Sequence, residues 1–281
     1  MIVAGLLMAS MATAQQAEID GYNVEWNTPS ENSAGSMPLG NGELGANLWV
    51  EKNGDLLFYL SRTDAISEAN RLMKMGRIRV SLSPNPFQEW KPFSQQLVLK
   101  DGAIYVTAGK PGETVKFCFY MDPNQETAYL RMKSDSPYEV KVTAESWRKE
   151  PHMITKEESL SAWLNQMPSW VKIEESADVF QSEGKDIVWY HQNVGSVYDL
   201  VMEHQQKESV ASNFPDPIRN RIWGVHMSSK GLKKVNDSTF LSSSGIRQCE
   251  LKLVTHSAQS ASVAAWKKGV KQLAKQTSAD K

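Results

Sequence analysis

Few residues in this chain are spaced for chemistry, although it carries 32 acidic side chains and five histidines. Hydrolysis of a glycosidic bond needs two carboxyl groups about 5–10 Å apart across that bond. Many carboxylate pairs are available and the sequence favours none. Asp64 and Glu68 stand four apart in Thr63–Lys74, a stretch that reads as a short helix or an ordered loop, where they would share one solvated face. His152, His191, His204, His226 and His256 show no zinc spacing, and neither His-Glu-x-x-His nor Gly-x-Ser-x-Gly occurs. His226 alternates within a strand pattern and reads as a satisfied sheet residue. Gly40-x-Gly42-x-x-Gly45 has the form of a dinucleotide fingerprint, which requires a strand before it and a helix after it. Here Pro38 precedes it, and the extended pattern Ala46–Val50 runs on into the turn at 52–55, so nucleotide binding is set aside. Gly40, Gly42 and Gly45 are expected to supply positive φ and close backbone approach for a tight turn. That turn would present Asn41 and Glu43.

The elements that must position these groups are mostly strands. Residues 77–82 alternate strictly, and the apolar run 55–60 suits a buried strand. Residues 96–100 and 103–107 flank Asp101-Gly102, a dipeptide that favours two-residue hairpins. Runs at 115–121, 127–132 and 138–143 read as a meander. Further strands fall at 178–180, 186–190, 222–227, 239–241 and 248–254. This spacing predicts a mainly β fold, a large antiparallel sandwich. Residues 151–171 carry Leu160, Trp163 and Leu164 at helical spacing after Glu157 and Glu158. Near the end, Val263, Trp266, Val270 and Leu273 repeat at steps of three and four, with Lys267, Lys268, Lys271 and Lys275 on the remaining face. An amphipathic helix of this kind needs an apolar partner, either the sandwich or something beyond it.

Composition narrows the classes. A hydrophobic share of 41% and a charged share of 22% are ordinary for a globular chain, and a net charge of −1 offers no electrostatic case for nucleic acid. Residues 1–14 read as a signal peptide: Ile2–Met11 is apolar, too short to span a bilayer, and is followed by Ala12-Thr-Ala14. No Lys or Arg precedes the apolar run. Cleavage near Ala14 would give an exported, periplasmic or extracellular protein without a membrane span. Cys118 and Cys249 fall in different predicted strands, and one disulfide or two free thiols both fit that compartment.

The segment Pro38-Leu-Gly-Asn-Gly-Glu-Leu-Gly45 resembles a motif near the start of family 95 glycoside hydrolases, the α-L-fucosidase group. It is more similar still to a related bacterial domain of unknown function, number 5703. The likeness extends in order through Asn53–Tyr59, Arg62-Thr-Asp64, Gly76–Pro86 and Asp216–Arg221, from Tyr22 to about Thr255. The resemblance implies an N-terminal antiparallel supersandwich over residues 18–255, of galactose-mutarotase-like type. It further implies a helical linker over 256–281 and then an (α/α)6 catalytic barrel, in cis or in trans. The barrel carries that family's acid and base, so no catalytic residue is transferred to this chain, and no cofactor or metal is implied. On this reading Asn41 and Glu43 face the barrel or its sugar site, with Arg62 and Asp64 at the same interface. Arg219 and Arg221, beside Pro215 and Pro217, bind a carboxylate or pin a loop. Three functions are therefore in play: a non-catalytic domain of a glycoside hydrolase-like protein, a stand-alone carbohydrate-binding module, and a small enzyme of aldose mutarotase type. A binding module would display exposed aromatics, with Trp49, Trp90, Trp147, Trp163 and Trp170 as candidates. A mutarotase would need a histidine and a carboxylate converging on one concave face.

Overall fold

Strands form where apolar residues alternate, and their faces meet in one core. A computed structural model describes residues 19–87, 92–160 and 171–276. The expected signal peptide, Trp90, Trp163 and Trp170 lie outside the described residues. In chain order the strands are β1 (Val24–Trp26), β2 (Met37–Gly40), β3 (Leu44–Val50), β4 (Leu56–Ile66), β5 (Leu72–Ser83), β6 (Phe93–Val98), β7 (Ala103–Ala108), β8 (Val115–Met121) and β9 (Thr127–Glu145). After β10 (His152–Met153) and the one-turn helix α1 (Lys156–Ser159) come β11 (Glu174–Glu175), β12 (Val179–Glu183) and β13 (Asp186–Gln192). Helices α2 (Tyr198–His204) and α3 (Glu208–Ala211) precede β14 (Arg221–Lys230), β15 (Lys233–Lys234), β16 (Thr239–Leu241), β17 (Ile246–Gln259) and α4 (Val263–Gln276). One antiparallel layer runs β1-β6-β7-β8-β9-β17-β14-β13-β12, and the second runs β2-β3-β4-β5-β9-β16-β15. The mainly β antiparallel sandwich read from the sequence is therefore the observed fold.

Strand β9 belongs to both layers. Its first half pairs with β8 and β17, and its second half pairs with β5 and β16. The strands expected at 127–132 and 138–143 are thus one strand without a turn. Pro137 sits where the pairing changes hands: along β9, pairing with β8 extends to Ser134, pairing with β5 runs from Glu139 onward, and β17 shifts register between Ile246 and Gln248. A proline donates no ladder hydrogen bond, so it fits the one point where no ladder continues. Phe58 of one layer meets Phe119 of the other at 4.8 Å between ring centroids. Around them Leu48, Leu56, Val80, Val106, Leu130 and Leu253 are fully buried. Burial of this apolar surface, worth roughly 25 cal/mol per Å², is the main stabilising term for the sandwich.

Local expectations are corrected at three places. The β6–β7 connection takes four residues rather than two: Val98 pairs with Ala103, Leu99–Asp101 form a 3-10 turn, and Gly102 closes it at φ 57°. The Leu99 N–H is withdrawn from the ladder because it donates to the Asn23 side chain. Thr63–Lys74 is not a helix; β4 runs to Ile66, an ordered turn between the strands occupies only 67–71, and β5 begins at Leu72. Asp64 therefore lies on a strand and Glu68 in the turn, so they share no helix face. Among the three glycines, only Gly42 has positive φ, at 101°. Gly40 and Gly45 pair with each other across the β2–β3 hairpin, where a Cβ would meet Leu44 O at 3.1 Å and Ser61 Oγ at 3.2 Å respectively. Close approach, not a left-handed backbone, explains those two.

Strand β17 continues to Gln259, past the expected start of the helical segment, and α4 folds back onto the sheet. Trp266 and Val270 are buried with Val188, Tyr190, Ile222 and Val254. The apolar stripe thus finds its partner on the sandwich itself. Cys118 pairs opposite Arg131 and Cys249 opposite Met132, successive positions of β9. Successive strand residues point to opposite faces, so the two thiols are on opposite sides of the sheet and are both free. Among the described residues no helix is long and apolar enough to cross a membrane.

Candidate functional site

Five of the six side chains singled out in the sequence converge at one end of the sandwich. Asn41 anchors the place: its side chain donates to Asp122 O and Gln125 O in the β8–β9 turn, and accepts from the N–H groups of Glu43 and Leu44. It clamps two hairpins together and leaves nothing of itself for a ligand. Next to it Arg62 is buried, and its guanidinium reaches three carboxylates: Asp64 at 2.8 Å, Glu126 at 2.5 Å and Glu43 at 3.8 Å. A fourth contact, of a different kind, is the 3.1 Å hydrogen bond it donates to Thr255 Oγ1. Arg221 joins from β14, 3.7 Å from Asp64 and donating to Ser257 Oγ at 3.1 Å. Arg219 stays apart, paired on the surface with Asp199 and Asp216. Burial disfavours the charge on Arg62 most strongly, but the hydrogen bonds it donates to Asp64 and Glu126 outweigh it and hold the guanidinium above its ordinary value. Burial likewise opposes the Asp64 charge, and Arg62 more than offsets it, so the carboxyl sits below the usual range. The side chains of Glu43, Asp64 and Glu126 remain 64%, 37% and 32% exposed. The result is a rigid acidic rim around one sealed cation. Glu126 was not foreseen, because a glutamate in a turn carries no local signal.

A second constellation escaped the sequence altogether. His191 is fully buried; its Nε2 lies 3.0 Å from Glu68 Oε2 and its Nδ1 3.1 Å from Asp178 Oδ1. Asp178 also accepts two hydrogen bonds from Arg148, at 2.9 and 2.8 Å. Glu68 is capped further by Ser176, through both its hydroxyl and its N–H, and by the Val194 N–H. The rings stack outward in series. His191 lies on Trp223 at 4.7 Å and 16°, and Arg148 lies between Trp223 and Trp147, 5.2 and 5.4 Å from their centroids. Trp147, 52% exposed, ends the series at the surface, with Tyr59 edge-on at 6.0 Å. Trp49, by contrast, is buried.

This network has a definite pH signature. Burial is the largest influence on His191 and disfavours its charge, but hydrogen bonds to Asp178 and Glu68 together prevail and raise its pKa above the ordinary 6.5. Burial also opposes charge on Glu68, and the His191 and Ser176 hydrogen bonds overcome it, setting the carboxyl below the ordinary 4.5. The His191 contribution is fully present below the unfolded imidazole pKa and is lost as pH rises through the higher folded value. The Glu68 contribution is present above its unfolded pKa and is lost as pH falls through the lower folded value. The pair therefore stabilises most between those two unfolded values. Denaturant midpoints measured from pH 5 to 9 are expected to fall on the alkaline side in the native chain. In His191→Gln that alkaline fall should be flattened; an unchanged slope would remove His191 as its source.

Two grooves flank Trp147. One, of about 610 Å³, includes Arg77, Glu145, Asp178 and Asp237; the other, of about 710 Å³, includes Arg71, Glu150, Glu158 and Glu175. A third, of about 520 Å³, lies between β12–β14, β17 and α4 and holds His226, 3.4 Å from Asp186. Lys185, Lys230, Lys252, Lys271 and Lys275 surround that pair. Among the described residues no group of three His, Cys, Asp or Glu side chains is arranged to hold a metal ion.

Comparison with known proteins gives two findings. Among solved structures, the chain is similar to a candidate kojibiose phosphorylase from the human microbiome, at 10% identity and a TM-score of 0.40, covering 92% of this chain. The chain spans about a third of that protein's length, 33%. No curated protein matches. The model of a family described as a domain of unknown function, DUF5703, matches residues 25–281, so this chain belongs to the DUF5703 N-terminal domain family.

Proposed function

We propose that this chain is the non-catalytic N-terminal sandwich of an exported, carbohydrate-active protein, and that its Arg62 end docks a catalytic domain of (α/α)6 type in cis or in trans. The observation that carries this reading is the acidic rim of Glu43, Asp64 and Glu126, locked around buried Arg62 by two clamped hairpins. Glu43, 64% exposed and 3.8 Å from the guanidinium, adds little to the domain's own stability. Held rigid at one end of the sandwich, the rim is suited to read the basic groups of a partner. The carbohydrate class rests on the sequence resemblance, which also supplies the barrel; export rests on the apolar run and Ala12-Thr-Ala14. The domain's own imidazole–carboxylate cluster supports a structural role, since His191 has no exposed surface on which to meet a substrate. The same burial weighs against a mutarotase-type enzyme. A second histidine–carboxylate pair, His226 with Asp186, shares its groove with Glu183 and Glu250, but those two acids are engaged by Lys271 and Lys230.

The test is hydrogen exchange on the native gene product set against the isolated 281-residue chain. Residues 41–45, 62–64 and 122–126 should exchange more slowly in the native product, and that product should be larger than this chain or co-elute with a barrel domain. A native product of this size, running as a monomer with identical exchange at those residues, overturns the docking reading.

A further inference from the structure

We infer that Trp147 and its two flanking grooves form a binding site for a neutral oligosaccharide, separate from the Arg62 end. Trp147 lies two residues past the end of β9, and its indole is fixed on two sides before any ligand arrives. Tyr59 meets it edge-on at 6.0 Å, and the Arg148 guanidinium packs 5.4 Å from its centroid. Arg148 is itself immobilised by Asp178 and by the Lys74 carbonyl, and its Nη1 is buried with no hydrogen-bond partner among the described residues. Half of the indole surface nonetheless remains open, at 52%. An aromatic held by its neighbours and still half exposed is a platform that binds without first being ordered, which lowers the entropic cost of association. The buried His191–Trp223 stack thereby gains a purpose: it braces the surface tryptophan through Arg148.

The walls decide the class of ligand. Three Lys or Arg and three Asp or Glu side chains line each groove, and the second also has His152, so with that histidine neutral each groove is formally neutral. Most are paired with one another: Arg77 with Glu145, Arg71 with Glu158 and Glu175, and Arg148 with Asp178. A phosphate or a carboxylate would find no surplus positive charge, and a cation no surplus negative charge. Such ion pairs still present fixed donors and acceptors side by side. A ligand whose hydroxyls both donate and accept, and whose ring has an apolar C–H face for the indole, fits both features. Sugars have that chemistry. The cavities, about 610 and 710 Å³, lie within the roughly 300–1,000 Å³ of small-molecule sites. They meet at Trp147, Arg148 and Lys149, so a chain of sugars can cross the indole and place units on either side.

Affinity electrophoresis tests this with the full chain run through native gels containing dextran, galactomannan, arabinoxylan or the acidic polysaccharide pectin. At least one neutral polysaccharide should retard the chain. Trp147→Ala should weaken that retardation at least tenfold in apparent Kd while leaving the melting temperature unchanged, since half the indole is already in water. Trp147→Phe should recover part of the loss. Glu43→Gln, at the docking end, should bind as the native chain does. No retardation by any neutral polysaccharide, retardation by pectin alone, or equal retardation of Trp147→Ala overturns the inference. None of those outcomes bears on docking at the Arg62 end, which the exchange experiment reads independently.

Discussion

Replacing Asp178 by alanine should lower the stability of this domain by about 3–5 kcal/mol, the range for breaking one partner out of a buried charge network. Asp178 is the single carboxylate shared by two buried cationic groups, Arg148 and His191. Its side chain is 1% exposed, so neither group gains water when it goes. Arg148 would keep the Lys74 carbonyl, and His191 would keep Glu68, but the guanidinium would lose both of its hydrogen bonds to a charged acceptor. Whole domains are stable by only about 5–15 kcal/mol, so this loss is a large part of the total. Chemical denaturation reads it directly, as a lower midpoint at unchanged slope. Asp178→Asn, which preserves shape and one acceptor oxygen, should cost less than the alanine variant. A change below about 1 kcal/mol for Asp178→Ala would show that the network is not held by this carboxylate.

Arg62→Ala is expected to be the next largest, at about 2–3 kcal/mol, set by hydrogen bonds between charged groups and discounted for solvent. The discount is physical: Asp64 and Glu126 are each about a third exposed, 37% and 32%, and regain water when the guanidinium is removed. What they do not regain is the link between layers, because Arg62 on β4 also donates to Thr255 on β17. Arg62→Lys should fall between the two, since one ammonium cannot reproduce a planar fork that reaches several oxygens. Hydrogen exchange should then speed up around the β2–β3 hairpin and the β8–β9 turn. A stability loss under about 0.5 kcal/mol with unaltered exchange there would mean that the Asn41 clamp alone sets the geometry of this end.

Most of the strands were legible because alternation of apolar residues is a local property. Ile78, Val80 and Leu82 face the core as their period-two spacing required, and β8 and β16 occupy the predicted residues. The three-and-four spacing of Val263, Trp266, Val270 and Leu273 likewise fixed helix α4 and its apolar face. Where the reading failed, a local signal competed with a distant partner. Residues 127–132 and 138–143 read as two strands of a meander, yet the residues between them only pass β9 from one layer to the other. Thr63–Lys74 carried helix-compatible residues, but pairing with neighbouring strands held it extended.

The candidate sites divide in the same way. Glycine spacing and the motif around it pointed to Asn41, Glu43, Arg62 and Asp64, which lie within two hairpins of one another. The buried cluster gave no such sign: Glu68 meets His191 across 123 positions, and Arg62 meets Thr255 across 193. By itself the sequence determined which faces are apolar and where strands and the last helix run, since those depend on repeats of two and of three to four residues. Only the tertiary structure decided which charges are sealed together and which tryptophan is left bare, because packing two layers sets distant residues opposite one another and no local spacing records what lies across the sandwich.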